Sequence, residues 1–312
     1  MDKKKFIGYF FIGCCFFFFL IYQTFPYSIV KENIAIEIQN VLNKQRIPLK
    51  INIKSLKPYW LTGIELSGVE VNNKFDSSGA LVFDKVTARM SLLSLFIGNV
   101  TFDINVYQKS GYLSSSISFP LLSVISGDMS FGKVNTYFNE FSLDNIFNQL
   151  LGVIKSIANP ELALVLPIIT NTTVGGNLNG IIEYRDKGPA KINLNLRKGY
   201  LNIENEALNI PIQEFSKANL DVNWNGKRIL VSKESGLDSQ DIKIGADGFI
   251  DTPADPTKPW QLNVLLSIVM TGEIEKDFGF LLPQLLNCPS NSILAGVMKI
   301  NLIGDSNNLS CQ

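Results

Sequence analysis

The sequence predicts a mainly β (α+β) chain: an N-terminal transmembrane helix, then an elongated, twisted antiparallel sheet with a few packing helices. Three observations predict it. Residues 6–25 contain no charged side chain. Between Phe83 and Gln108, apolar residues fall on every second position, at Val86, Ala88 and Met90 and again at Val100, Phe102, Ile104 and Val106. That is the period of a strand with one dry face. The same rhythm returns along most of the remaining chain, broken by glycine and asparagine turn signals.

The N-terminal stretch comes first. "MDKKK" precedes "FIGYFFIGCCFFFFLIYQTF", Phe6 to Phe25. About 20 residues of helix rise roughly 30 Å, the thickness of a bilayer core. Lys3, Lys4 and Lys5 precede the span and few cations follow it at once, so the positive-inside rule puts residues 1–5 in the cytoplasm and the bulk outside. A cleaved signal peptide is the alternative, but no small-x-small site follows Leu20. An uncleaved single-pass anchor is therefore expected, with the membrane itself as a partner.

Next, residues 28–45 predict a juxtamembrane amphipathic helix. Val30, Ile34, Ile38, Val41 and Leu42 recur at helical spacing, Ser28 can cap the start, and Pro48 follows the end. Residues 46–312 then form the exported β-rich domain. "LKINIKSL" and "TGIELSGVEVNN" alternate, with Gly68 marking a turn or bulge. "SLLSLFIGN" must bend or bulge between the runs of the 83–108 stretch. "GYLSSSISF" sets Leu113, Ile117 and Phe119 against small hydroxyls, and Ser126–Phe141 reads as irregular or weak strand. A helical insertion is expected over about 142–170, where Leu143, Ile146, Phe147, Leu150, Leu151 and Ile154 share one face. Strands return at "GGNLNGIIEYRD" with "AKINLNLRKGYLNIEN". They continue at "ANLDVNWNGKRILVSKE", whose Asn225-Gly226 is a hairpin signal. "QDIKIGADGFIDT", "WQLNVLLSIVM" and "AGVMKINLIGD" complete the sheet, with a short apolar helix at "EKDFGFLLPQLLN".

The composition narrows the chemistry. Of 312 residues, Lys+Arg 28 balances Asp+Glu 28, which argues against a phosphate-backbone binder and so against nucleic acid as a partner. There is no histidine, which removes the usual general base and the commonest metal ligand. "GGNLNG" lacks the Lys-Ser/Thr of a phosphate loop, and no GxSxG, HExxH or EF-hand loop is present. Asp238, Asp241 and Asp247 lack calcium-loop spacing. The pairs Glu65/Glu70 and Glu273/Glu275 read as solvated strand or helix ends. The expectation is a non-enzymatic chain with no catalytic residue, cofactor or metal. Cys14 and Cys15 lie in the anchor. Cys288 and Cys311 lie in the exported part, where they either pair or remain two free thiols; their spacing is not that of a zinc site.

With these elements in place, "YWLTGIELSGVEV" and "LVFDKVTARMSLLSLFIGNVTFDINVYQKSGYLSSSISF" resemble the type II secretion system protein N family, most specifically over about residues 58–120. Gly111 and Tyr112 stand where that family often has two glycines. The layout also resembles AsmA-like proteins, whose amphipathic sheets form a lipid-accommodating groove. The resemblance implies a bacterial inner-membrane protein with its bulk in the periplasm, an accessory of the secretion apparatus with other secretion-system proteins as partners. The alternative is an AsmA-like lipid-binding or lipid-transfer protein, with phospholipid as partner. Val86, Ala88, Met90, Val100, Phe102, Ile104 and Val106 are then the candidate groove, although each taken alone also suits an ordinary core.

Overall fold

A computed structural model describes residues 27–44, 47–74, 80–109, 111–127, 130–144, 146, 172–186, 188–203, 211–252, 260–278, 293–294, 297–305 and 308–311. The expected anchor at 6–25, the expected helical insertion from residue 147 onward, and Cys288 lie outside them. Among the described residues no helix is long and apolar enough to cross a membrane.

The order is α1 (Tyr27–Lys44), β1 (Leu49–Tyr59), β2 (Gly63–Asn73), β3 (Leu81–Ser91), α2 (Leu92–Phe96), β4 (Asn99–Gln108), β5 (Gly111–Pro120), α3 (Leu121–Ser126) and β6 (Lys133–Ser142). Then follow β7 (Thr172–Arg185), β8 (Ala190–Ile203), β9 (Gln213–Trp224), β10 (Arg228–Val231), β11 (Gly236–Ser239) and β12 (Ile242–Asp251). The chain continues through β13 (Gln261–Met270), α4 (Gly272–Phe278), β14 (Ile293–Leu294), β15 (Val297–Asp305) and β16 (Asn308–Cys311). All sixteen strands belong to one sheet, ordered β1 to β10, then β12, β13, β15 and β14. β11 lies between β9 and β12, and β16 pairs with β15. Every pairing is antiparallel.

Two expectations change. Ser126–Phe141 contains most of β6, whose Val134, Thr136 and Phe138 register without a break with Ile117, Ser115 and Leu113 of β5, while the expected irregularity is confined to a bulge at Glu140. "SLLSLFIGN" is a short helix, α2. Ser94 pins it, donating to the Ser91 carbonyl at 2.6 Å and accepting from the Thr101 N–H at 3.2 Å.

The pleat stays in phase by local adjustment. Ile53, Leu56, Leu66, Val69, Phe83 and Val86 pack on one face although 53/56, 66/69 and 83/86 are each three apart. An odd spacing on one face requires the pleat to slip once in each strand. It slips at the same level in all three, and the pairing stays in step. Gly68, at φ +60°, supplies the backbone this needs. A second slip crosses β6 to β8, where Glu140 has φ 47° and Lys198 φ 49°. There the Glu140 carboxylate accepts from Asn177, Asn179 and Arg197, and its N–H donates to Asn179 Oδ1 at 2.9 Å. The Glu140 N–H, out of the β6–β7 ladder at the bulge, thereby keeps a partner.

Helix α1 lies along β1. Val30, Ile34 and Ala35 pack against Ile53, Leu56, Leu66 and Val69. Gln39 Nε2 donates to the Leu49 carbonyl at 2.9 Å, and Lys74 Nζ to Asn43 Oδ1 at 2.7 Å. These contacts fix the C-terminus of the helix at the Leu49 end of the strand, so its N-terminus points towards Tyr59. A second small core forms where Ile274 of α4 meets Ile268, Met270, Met298 and Ile300.

Gly180 of β7 sits at φ +138°, and a Cβ there would stand 2.0 Å from the Asn193 carbonyl oxygen. Gly180→Ala is expected to lower stability by about 1–3 kcal/mol through that strain. Gly245→Ala, where the added carbon meets only Ser267 Cβ at 4.0 Å, is expected to be near neutral. Denaturant midpoints of the two variants check the difference.

Candidate functional site

Residues directly opposite in an antiparallel pair share a face, so the register can be followed across the sheet. One row runs Ile64, Ala88, Ile104, Ser115, Thr136, Ile182 and Ile192. It continues through Val222, Val231, Gly248, Val264 and Leu302 to Cys311. A second row takes Leu66, Val86, Val106, Leu113, Phe138, Gly180, Leu194 and Leu220. A third takes Met90, Phe102, Ile117, Val134 and Tyr184. The Tyr184 ring stacks on Trp224 at 6.4 Å, which leads the row on to Ile229, Ile250 and Leu262.

The candidate residues read from the sequence come together here. Val86 faces Val106, Ala88 faces Ile104, Met90 faces Phe102, and Val100 faces Phe119. The sequence reading stopped at β3 and β4, whereas the same surface runs on to β15. Alternation was legible strand by strand; the alignment of one strand's dry side with the next depends on register, which no local pattern states. Cys311 sits in β16 at the end of the first row, opposite Leu302.

The rows carry no charged side chain. Ser115 and Thr136 interrupt them, and their hydroxyls bond each other at 3.0 Å within the row. Among the described residues, buried apolar side chains gather towards the two ends of the sheet, and none lies on β7 to β12. On the face itself Phe102 is 38% exposed, Leu220 43% and Ile244 38%. Phe83 of β3 and Phe141 of β6 stack at 6.5 Å, reaching over β4 and β5 on this side.

The opposite face is built differently. Glu65, Thr87, Asn105 and Ser114 form one of its rows, and Asp103, Ser116, Asn135, Glu183 and Lys191 another. Arg89 pairs with Asp103 at 3.2 Å and Lys243 with Asp238 at 3.4 Å. Lys233 reaches Asp247 at 3.8 Å. Two of the three aspartates singled out in the sequence are therefore partners of lysines, and the third, Asp241, accepts from the buried Gln213 at 3.2 Å. Among the described residues no group of three or more Cys, Asp or Glu side chains is placed to hold a metal ion.

Arg228 grips Asp251 through Nε at 2.5 Å and Nη2 at 2.8 Å, fastening β10 to β12. The hydrogen bond from Arg228 holds the Asp251 carboxyl below its ordinary range. A depressed carboxyl stabilises the fold above the ordinary carboxylate range and ceases to as pH falls through its folded value. Protection of the β10 and β12 amides from hydrogen exchange is therefore expected to drop on acidification below that range. Asp251→Asn is expected to lower it already at neutral pH and to flatten the acid dependence.

No family model, curated protein or solved structure matches this chain.

Proposed function

We propose that the chain is a membrane-anchored, non-catalytic protein whose apolar sheet face holds the acyl chains of phospholipid in the bacterial periplasm. One observation carries the reading: the uncharged rows that pass from β2 to β15 with half-exposed side chains. At a strand spacing of about 4.8 Å, twelve strands in register extend roughly 50 Å. That exceeds the ~30 Å hydrocarbon core of a bilayer, which two acyl chains fill end to end. Each methylene taken from water onto such a surface contributes about 0.8 kcal/mol. With no charged group in the rows, headgroups stay in solvent and the face selects for hydrocarbon alone.

The secretion-accessory reading rests on the resemblance of residues 58–120. It suits the same anchor and the same exported sheet, but strand addition at the β1 edge does not favour it. That edge carries Lys50, Lys54, Lys57 and Pro58, the residue types that discourage pairing with another chain.

A photoreactive phenylalanine analogue placed at Phe102 or Leu220 in the intact chain, irradiated in cells, is expected to give phospholipid adducts. The same analogue at Asn193, on the opposite face, is expected to give none. Adducts to protein alone at Phe102 and Leu220 would instead support a secretion-apparatus partner.

A further inference from the structure

Because neighbouring strands alternate in direction, the connections β1–β2, β3–β4 and β5–β6 lie at one end of the sheet. All three present large apolar side chains to solvent. Leu61, Leu93, Phe96, Ile97, Leu122 and Ile125 are between 73% and 88% exposed. Residues 60–62, 92–98 and 121–127 contain no charge. The opposite end is different: the β2–β3 connection carries Lys74 and Asp76, and β4–β5 carries Lys109. Further along the first end the connections turn polar again, with Asp186 and Lys187 after β7 and Asn225-Gly226-Lys227 after β9. Among the described residues, the apolar tips at this end belong to the first six strands.

The tips are held in place. Thr62 Oγ1 donates to the Met90 carbonyl at 2.6 Å, joining the first tip to the end of β3. The Leu121 N–H donates to the Gly98 carbonyl at 2.8 Å, joining the start of α3 to the end of α2. Buried Ser94 anchors α2 from beneath. Polar groups thus face the sheet while leucine, isoleucine and phenylalanine face out, against the hydrophobic effect unless something apolar meets them.

What meets them is indicated by the chain itself. The N-terminus of α1 points to this same end of the sheet, and the uncharged stretch 6–25 leads directly into that helix. From this juxtaposition we propose that the three tips lie in the interfacial layer of the membrane beside the anchor, docking the first six strands onto the bilayer. An exposed tryptophan at the edge of the set, Trp60, suits the headgroup level. The docked tips also adjoin the apolar face. Phe131, in the β5–β6 connection, packs on Phe119 at 5.2 Å, and Phe119 on Phe102 at 6.2 Å. An unbroken aromatic path therefore leads from the rim into the rows. The docking rests on the membrane anchoring proposed above but not on the face carrying lipid.

The test uses the intact chain with Trp60 as its sole tryptophan (Trp224→Phe, Trp260→Phe). It is reconstituted into phosphatidylethanolamine–phosphatidylglycerol vesicles, with or without lipid brominated high on the acyl chain. Bromolipid is expected to quench Trp60. It is expected to leave unquenched a tryptophan placed at the opposite end of the sheet by Lys109→Trp in a chain that also carries Trp60→Phe. Leu93→Asp with Leu122→Asp, both fully outward positions, is expected to abolish quenching of Trp60 while the protein still floats with the vesicles. Floating protein whose Trp60 ignores bromolipid and is quenched by iodide from water would overturn the docking alone. Protection of Trp60 that rises with protein density rather than with bromolipid would assign the rim to a second copy, and also overturn it. Protein that does not float would overturn the anchoring together with the docking.

Discussion

A sheet of this width depends on phase. Side chains alternate between faces with a period of two, so a slip of one residue in any strand would carry its valines and leucines to the polar side. Over β7 to β12, where the described residues include no buried apolar side chain, the register itself has to hold the alignment. The molecule meets this demand by making its irregularities collective. The pleat slips beside Gly68 together in β1, β2 and β3, and the slip near Glu140 is absorbed across β6, β7 and β8 by one carboxylate that three neighbouring side chains contact.

The two faces divide the remaining tasks. On the polar side, pairs such as Arg89–Asp103 and Arg228–Asp251 bridge adjacent strands. Exposed pairs of this kind add little stability, yet each is satisfied in one alignment only and so helps define it. The apolar side has no such fasteners. Its burial is concentrated where α1 and α4 lie against the sheet, at opposite ends of the strand order. The lysines and proline of the β1 edge discourage a further strand from adding beside α1.

Much of this could be read in the residues. The alternations of β3, β4, β8 and β13 are clean, Asn225-Gly226 closes its hairpin, and Gly68 marks its slip. β6 escaped because Thr136 occupies an apolar row while Tyr137, on the other face, is aromatic; the two sides look alike over that stretch. α2 escaped for a related reason. "LLSLFI" has the composition of a buried strand, and only the fold turns Leu93 and Phe96 outward. The seven candidate residues on β3 and β4 were legible because two adjacent strands share a clean pattern. Their continuation through Ile182, Val222 and Val264 needed a register that spans residues nearly two hundred positions apart. The clustering of three tips at one end was equally invisible, since it follows from strand direction rather than from any one segment.

The Ser115–Thr136 pair has a consequence for motion along the face. A lone hydroxyl there would be a sticky point for any polar atom passing over it. By bonding each other at 3.0 Å, the two hydroxyls occupy one donor and one acceptor between them and leave the surface more uniform. A uniform surface has shallow wells and low barriers between them. If hydrocarbon rests on it as proposed, it would have no preferred stop, and its position from strand to strand would be set by sideways diffusion rather than by hopping between sites. With no charged side chain in the rows, that mobility would also be insensitive to salt.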